Sequence, residues 1–91
     1  MDPHLLNLMH LKVLDLSNNR IERVEFLPPM LEELYLTANI VKEIVGPRQE
    51  KLLHLGLSHN QVNTDQIRAI SKYYPGLFSL NLGYNQIEDC V

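Results

Sequence analysis

The sequence predicts an α/β solenoid in which short parallel strands stack into a concave sheet and mixed short crossovers, one of them helical, form the convex side. Three observations predict it. An eleven-residue phrase occurs four times, as Leu11-Lys-Val-Leu-Asp-Leu-Ser-Asn-Asn-Arg-Ile21, Leu31-Glu-Glu-Leu-Tyr-Leu-Thr-Ala-Asn-Ile-Val41, Leu52-Leu-His-Leu-Gly-Leu-Ser-His-Asn-Gln-Val62 and Leu77-Phe-Ser-Leu-Asn-Leu-Gly-Tyr-Asn-Gln-Ile87. Each copy fits L-x-x-L-x-L-x-x-N-x-(I/V), with Asn19, Asn39, Asn60 and Asn85 in register. The copies begin at Leu11, Leu31, Leu52 and Leu77, so the units run to twenty, twenty-one and twenty-five residues, the period of a stacked repeat.

Each phrase dictates its own local structure. Leucines two apart, such as Leu14 and Leu16, point to one side of a short strand and the residues between them point to the other. The leucine side is core. Parallel strands need crossovers, and the segments after each phrase supply them. Where the chain turns off the strand, backbone groups lose their ladder partners. An Asn amide carries both an acceptor and a donor, so four Asn in register are expected to form a hydrogen-bonded ladder under the turns, a scaffold role and not ligand chemistry.

The crossovers differ in turn. The first carries Ile21, Val24, Phe26 and Leu27 into Pro28-Pro29, whose fixed φ and missing donors suit an extended stretch and forbid a full helix. The second has Gly46-Pro47 as a turn signal, and its polar run Arg48-Gln-Glu-Lys51 reads as exposed loop. The third is long enough for a helix over Thr64 to Tyr74, with Thr64 as N-cap, Asp65 near the positive end of the helix dipole and Pro75-Gly76 as stop. Ile67, Ile70 and Tyr74 fall on one face of that helix and should cover the core.

Ninety-one residues allow one domain, and four repeats exceed the number a solenoid generally needs. The charge is weakly negative, −3, and no Lys/Arg stripe or dense cluster suits a nucleic-acid backbone or an anionic membrane. No apolar run reaches transmembrane length, and the first residues lack a signal-peptide pattern. The single Cys90 has no partner in the chain and no Asn-x-Ser/Thr acceptor occurs, which favours a cytoplasmic, reducing home. Leu5, Leu8 and Leu11 look like the tail of a preceding unit, and Cys90 takes the core place held by Val24 and Ile44. The chain is therefore expected to be a fragment of a longer array, a short isoform, or one piece of a larger protein or assembly whose neighbouring subunits it meets.

The phrases together resemble the leucine-rich repeat. Mixed units of twenty to twenty-five residues without cysteine caps resemble intracellular eukaryotic repeat proteins of the phosphatase-regulator and axonemal type. Leu27-Pro-Pro-Met-Leu-Glu-Glu-Leu-Tyr-Leu36, Leu52 to Asn60 and Pro75 to Asn85 are similar to repeats of a protein found among motile-cilium components. What the resemblance implies is a non-catalytic scaffold that binds proteins, as a structural part of the ciliary axoneme or, alternatively, as a regulatory subunit of an enzyme such as a phosphatase.

Candidate functional residues follow from the strand alternation. The side facing away from the core holds four columns: Val13, Glu33, His54, Ser79; Asp15, Tyr35, Gly56, Asn81; Ser17, Thr37, Ser58, Gly83; and Asn18, Ala38, His59, Tyr84. Val13, Asp15, Glu33, Tyr35, His54, His59, Asn81 and Tyr84 are the expected protein-binding set, since rings of this kind are enriched at interface hot spots. The small third column would let a partner's backbone approach. A metal site on His54 and His59 lacks a third ligand, and His4, His10 and Cys90 are too scattered to supply one. There is no phosphate loop, nucleophile elbow or HExxH, and Asp15 with Glu33 is too exposed a pair to suggest a glycosidase. No cofactor or catalytic residue is expected.

Overall fold

The computed structural model describes residues 8–85. Leu5, Ile87 and Cys90, and with them the expectations about the array's ends, lie outside the described residues. Each phrase contributes a three-residue strand: β1 (Val13–Asp15), β3 (Glu33–Tyr35), β5 (His54–Gly56) and β6 (Ser79–Asn81). The first two crossovers contribute two-residue strands, β2 (Arg23–Val24) and β4 (Glu43–Ile44), and the third contributes helix α1 (Thr64–Tyr73).

The phrase strands form one parallel sheet in the order β1-β3-β5-β6, and β2 pairs with β4 in a second parallel sheet on the other side of the core. Register in the main sheet follows the phrase: Leu14 lies beside Leu34, Leu34 beside Leu55, and Leu55 beside Leu80. Between the sheets sit Leu34, Leu36, Leu55 and Leu57 from the phrases with Val24, Val41, Ile44 and Val62 from the crossovers. All of these are buried, so the alternation read from the leucines is the alternation of the strands.

The second sheet was not legible in the sequence, because two-residue strands carry no period. Its outer side is laced by exposed ion pairs, Arg23 to Glu43 at 3.0 Å and Lys42 to Glu22 at 3.9 Å. Exposed pairs of this kind contribute about 0–1 kcal/mol each, so the pairing rests on the backbone and on Val24 and Ile44 beneath.

Two expectations about the crossovers need correction. The N-cap of α1 is Asn63, whose side chain accepts from the Gln66 N–H, and not Thr64, which is the first helical residue. Asn is at least as good a cap as Thr, and here it stands one residue earlier. The run from Arg48 to Lys51 is not wholly exposed either. Gln49 is buried, its amide donating to the Leu27 carbonyl at 3.1 Å and its backbone N–H to the Tyr73 carbonyl at 2.6 Å. A long polar side chain in an apparent loop is thus the tie between the first crossover and the end of the helix.

The helix face is as expected. Ile70 and Tyr74 are buried and Ile67 is half-buried, and α1 packs against β4. Gln66, one residue before Ile67, accepts from the Ile44 N–H at 2.8 Å and so satisfies an edge group of the second sheet. The Tyr74 hydroxyl is buried without a hydrogen-bond partner, and burial pushes its pKa well above the ordinary phenol value.

The Asn ladder is present and has a direction. The Asn39 amide donates to the Leu16 and Leu36 carbonyls and accepts from the Ile21 N–H, reaching back across one repeat. Asn60 repeats this on Leu36, Leu57 and the Val41 N–H, and Asn85 on Leu57, Leu82 and the Val62 N–H. Asn19 bonds only the Leu16 and Ser17 carbonyls of its own repeat. Each later Asn therefore clamps the repeat before it.

Candidate functional site

The side of the main sheet away from the leucines is covered by no other element among the described residues. Its first two columns stand as the alternation requires, since Val13 pairs with Glu33, Glu33 with His54 and His54 with Ser79, while Asp15 pairs with Tyr35, Tyr35 with Gly56 and Gly56 with Asn81.

The fourth column is different from its expected place. Asn18, Ala38, His59 and Tyr84 have φ of 61°, 59°, 56° and 58°, so they are left-handed turn residues beyond the strand and not strand residues. The turn swings the next residue, the ladder Asn, under the sheet. Backbone bonds hold it there, with the N–H of Asn18, Ala38 and His59 donating to the carbonyls of Thr37, Ser58 and Gly83. Only Asn18 is of a type that tolerates this conformation well; for the others it costs about 1–2 kcal/mol each. Side chains here project from the rim of the concave face. His59 and Tyr84 stack on each other at 4.3 Å with their planes 10° apart, and Tyr84 remains 79% exposed.

Tyr35 is less free than its column suggested. Its ring lies against Gly56, where an added Cβ would come within 3.2 Å of the Tyr35 Cδ1, and its hydroxyl donates to the Glu33 carboxylate. That bond, with burial and the nearby negative charge of Glu33 and Asp15, raises the phenol pKa. Gly56, buried beneath Tyr35, is thus a seat for the tyrosine ring.

Asp15 and Asn81 share a backbone duty. The Asp15 carboxylate accepts from the Ser17 N–H at 2.9 Å and the Asn81 amide oxygen from the Gly83 N–H at 3.1 Å, each closing a small turn at the strand's end. Hydrogen bonds from the Ser17 hydroxyl and then its backbone N–H hold the Asp15 carboxyl below its ordinary pKa. Both residues remain on the exposed face.

One ring escaped the sequence reading. Phe78 is 87% exposed and meets the His54 ring edge-on at 6.3 Å, beside the half-exposed Leu53. It sits next to the first leucine of its phrase, outside the four columns that the alternation assigns to the concave side. The signal that reveals it is the same position in the other repeats, which holds Lys12, Glu32 and Leu53, two of the three charged. The site therefore consists of Val13, Asp15, Glu33 and Tyr35 at one end and His54, Phe78, His59, Asn81 and Tyr84 at the other. His54 and His59 are drawn to different ring partners, and among the described residues no group of three or more His, Cys, Asp or Glu is placed to hold a metal ion. No helix of the described residues is long and apolar enough to cross a membrane.

Comparison with known proteins agrees with this architecture. Residues 10–34 match the Leucine Rich Repeat family. The chain is 35% identical over 95 residues to Leucine-rich repeat-containing protein 43 of Mus musculus, covering 97% of this chain and 14% of that protein, and equally similar to its Homo sapiens counterpart. It is 36% identical over 85 residues to Fibromodulin of Oryctolagus cuniculus, covering 89% of this chain and 58% of that protein. The chain thus spans 14% of the first two relatives and 58% of the third, less than two thirds of each. No solved structure matches it. Sequence phrase, sheet topology and the family match agree on the fold, an α/β leucine-rich repeat solenoid.

Proposed function

We propose that this leucine-rich repeat solenoid is a non-catalytic scaffold that binds a protein partner on its concave face. The observation that carries the reading is an uncovered sheet face bordered by two highly exposed rings, Phe78 at 87% just before β6 and Tyr84 at 79% in the turn beyond it. Large aromatic surface left to water is costly, and the same rings are the side chains that concentrate binding energy when a partner covers them. Val13, Asp15, Glu33, Tyr35, His54, His59 and Asn81 complete the surface. The resemblance of the repeats to those of motile-cilium components supports a place in the cytoplasm as a structural component of the axoneme.

Affinity capture from ciliated cells, followed by mass spectrometry, tests both the binding and its setting. Tyr84→Ala should lose the partner while its circular dichroism stays native, because the exposed ring contributes little to the core. Arg48→Ala, on the crossover loop, should retain it. Normal capture by Tyr84→Ala and Phe78→Ala together, with loss on changing Arg68 and Lys72 of α1, would move the site to the convex side. Recovery of a phosphatase catalytic subunit in place of axonemal proteins would make the chain a regulatory subunit.

A further inference from the structure

We infer that the partner segment seated on the concave face is an extended stretch of protein in which a Lys or Arg lies two to four residues from an aromatic or large apolar side chain. The inference deepens the function proposed above and rests on it. The concave columns contain two carboxylates, Asp15 and Glu33, and none of the chain's eight Lys and Arg residues, and at the repeat position of Phe78 the charges of Lys12 and Glu32 cancel. The bases lie at the strand entry, in the turns, on the crossovers and on α1, where Arg23, Lys42 and Arg48 are already paired with glutamates. An acidic segment would meet uncompensated negative charge on this face, and a basic one would meet its complement.

Geometry divides the face into two halves. Val13 pairs with Glu33 and Asp15 with Tyr35, so Asp15 and Glu33 are diagonal neighbours on adjacent strands, about 7–8 Å apart at their Cβ atoms. One ammonium or guanidinium fits between them. Both carboxylates keep acceptor capacity after their internal bonds to Ser17 and Tyr35. In the other half stand the His54–Phe78 pair, with His54 on β5 and Phe78 just before β6, and the His59–Tyr84 pair in the turns beyond those strands. Between the pairs lie Ser58, Asn81 and Gly83, with Gly56 buried beneath the Tyr35 ring, so small and polar groups separate the rings and an apolar side chain can lie along them. The halves are centred two strand spacings apart, about 10 Å, which an extended chain covers in about three residues. Alternation of side chains turns that into a separation of two or four on the side facing the sheet.

A phage-displayed library of random dodecapeptides panned against the full chain at low salt tests this. The enriched sequences should hold Lys or Arg two to four positions from Phe, Tyr, Trp or Leu. A synthetic peptide of that consensus should bind the Asp15→Asn/Glu33→Gln variant about threefold to tenfold more weakly, with a shallower salt dependence. Against Tyr84→Ala it should weaken about tenfold or more with the salt dependence unchanged. Asp15→Asn keeps an acceptor for Ser17, and native circular dichroism of both variants guards against a folding defect. Enriched peptides that are acidic or indifferent to charge, yet lose affinity on Tyr84→Ala, would overturn this inference while sparing the concave site. Peptides unaffected by any of these changes, or no enrichment, would overturn both.

Discussion

Replacing Asn60 with Ala removes a buried rung from the middle of the ladder, and its cost can be worked from the groups left behind. Asn60 Oδ1 accepts from the Val41 N–H at 3.0 Å, and Nδ2 lies 2.8 Å from the Leu36 carbonyl and 3.0 Å from the Leu57 carbonyl. Val41, Leu36 and Leu57 are fully buried, so water does not replace the lost partner. A buried donor stranded in this way costs about 1–3 kcal/mol, while the Leu36 and Leu57 carbonyls keep donors in Asn39 and Asn85, so a loss of about 2 kcal/mol is expected. Asn19→Ala is the contrast. Its amide serves two carbonyls of its own exposed turn, and the Leu16 carbonyl is also served by Asn39, so the loss should stay below about 1 kcal/mol. Asn85→Ala, which strands the Val62 N–H at a half-buried turn, should fall between them. Urea unfolding followed by circular dichroism gives the order directly. Equal losses for Asn19 and Asn60, or a larger one for Asn19, would refute the view that each Asn stabilises by reaching back to the repeat before it.

Four further outcomes follow from single groups. Tyr74→Phe deletes a buried hydroxyl without a partner and should raise stability by about 1 kcal/mol; a lower urea midpoint would mean the hydroxyl is bonded after all. Ala38→Gly relieves a left-handed residue at φ 59°, and its midpoint should rise by the equivalent of about 0.5–1 kcal/mol, whereas a fall would show that the turn is not strained. Gln66→Ala takes the acceptor from the buried Ile44 amide and should cost about 1–3 kcal/mol, with faster hydrogen exchange at that amide than at Val24. The Tyr35 phenol is stabilised in its protonated form by Glu33, so any stability it contributes is full below its unfolded pKa near 10 and is lost as pH rises above it. Glu33→Gln should therefore lower the pH at which Tyr35 ionises in an ultraviolet absorbance titration, and an unchanged titration would deny the bond.

Much of this was legible because the repeat amplifies weak signals. One leucine alternation over three residues predicts little, but four copies in register give the strand positions, the buried side and the Asn ladder at once. What stayed hidden was carried by groups whose partners are remote in sequence. Gln49 and Gln66 look like solvent-facing polar residues until the Leu27 carbonyl and the Ile44 N–H are brought to them from earlier crossovers. The left-handed turn was masked by its residues, since Ala, His and Tyr do not advertise positive φ as Gly or Asn would. Phe78 was hidden by composition, an apolar residue beside a core leucine, though the Lys12 and Glu32 at its repeat position mark it as exposed. Of the expected site, His54, His59 and Tyr84 are at the surface in ring pairs, while Tyr35 is partly engaged in holding Glu33 and covering Gly56.

The central claim, that the concave face is where the partner sits, is tested most directly by hydrogen–deuterium exchange of the chain with and without its captured partner. Binding there predicts slowed exchange in the segments carrying β1, β3, β5 and β6 and the turns at Asn18, Ala38, His59 and Tyr84, with β2, β4 and the exposed side of α1 unchanged. Slowed exchange confined to β2, β4 and α1, with the sheet segments and their turns unaffected, would contradict it.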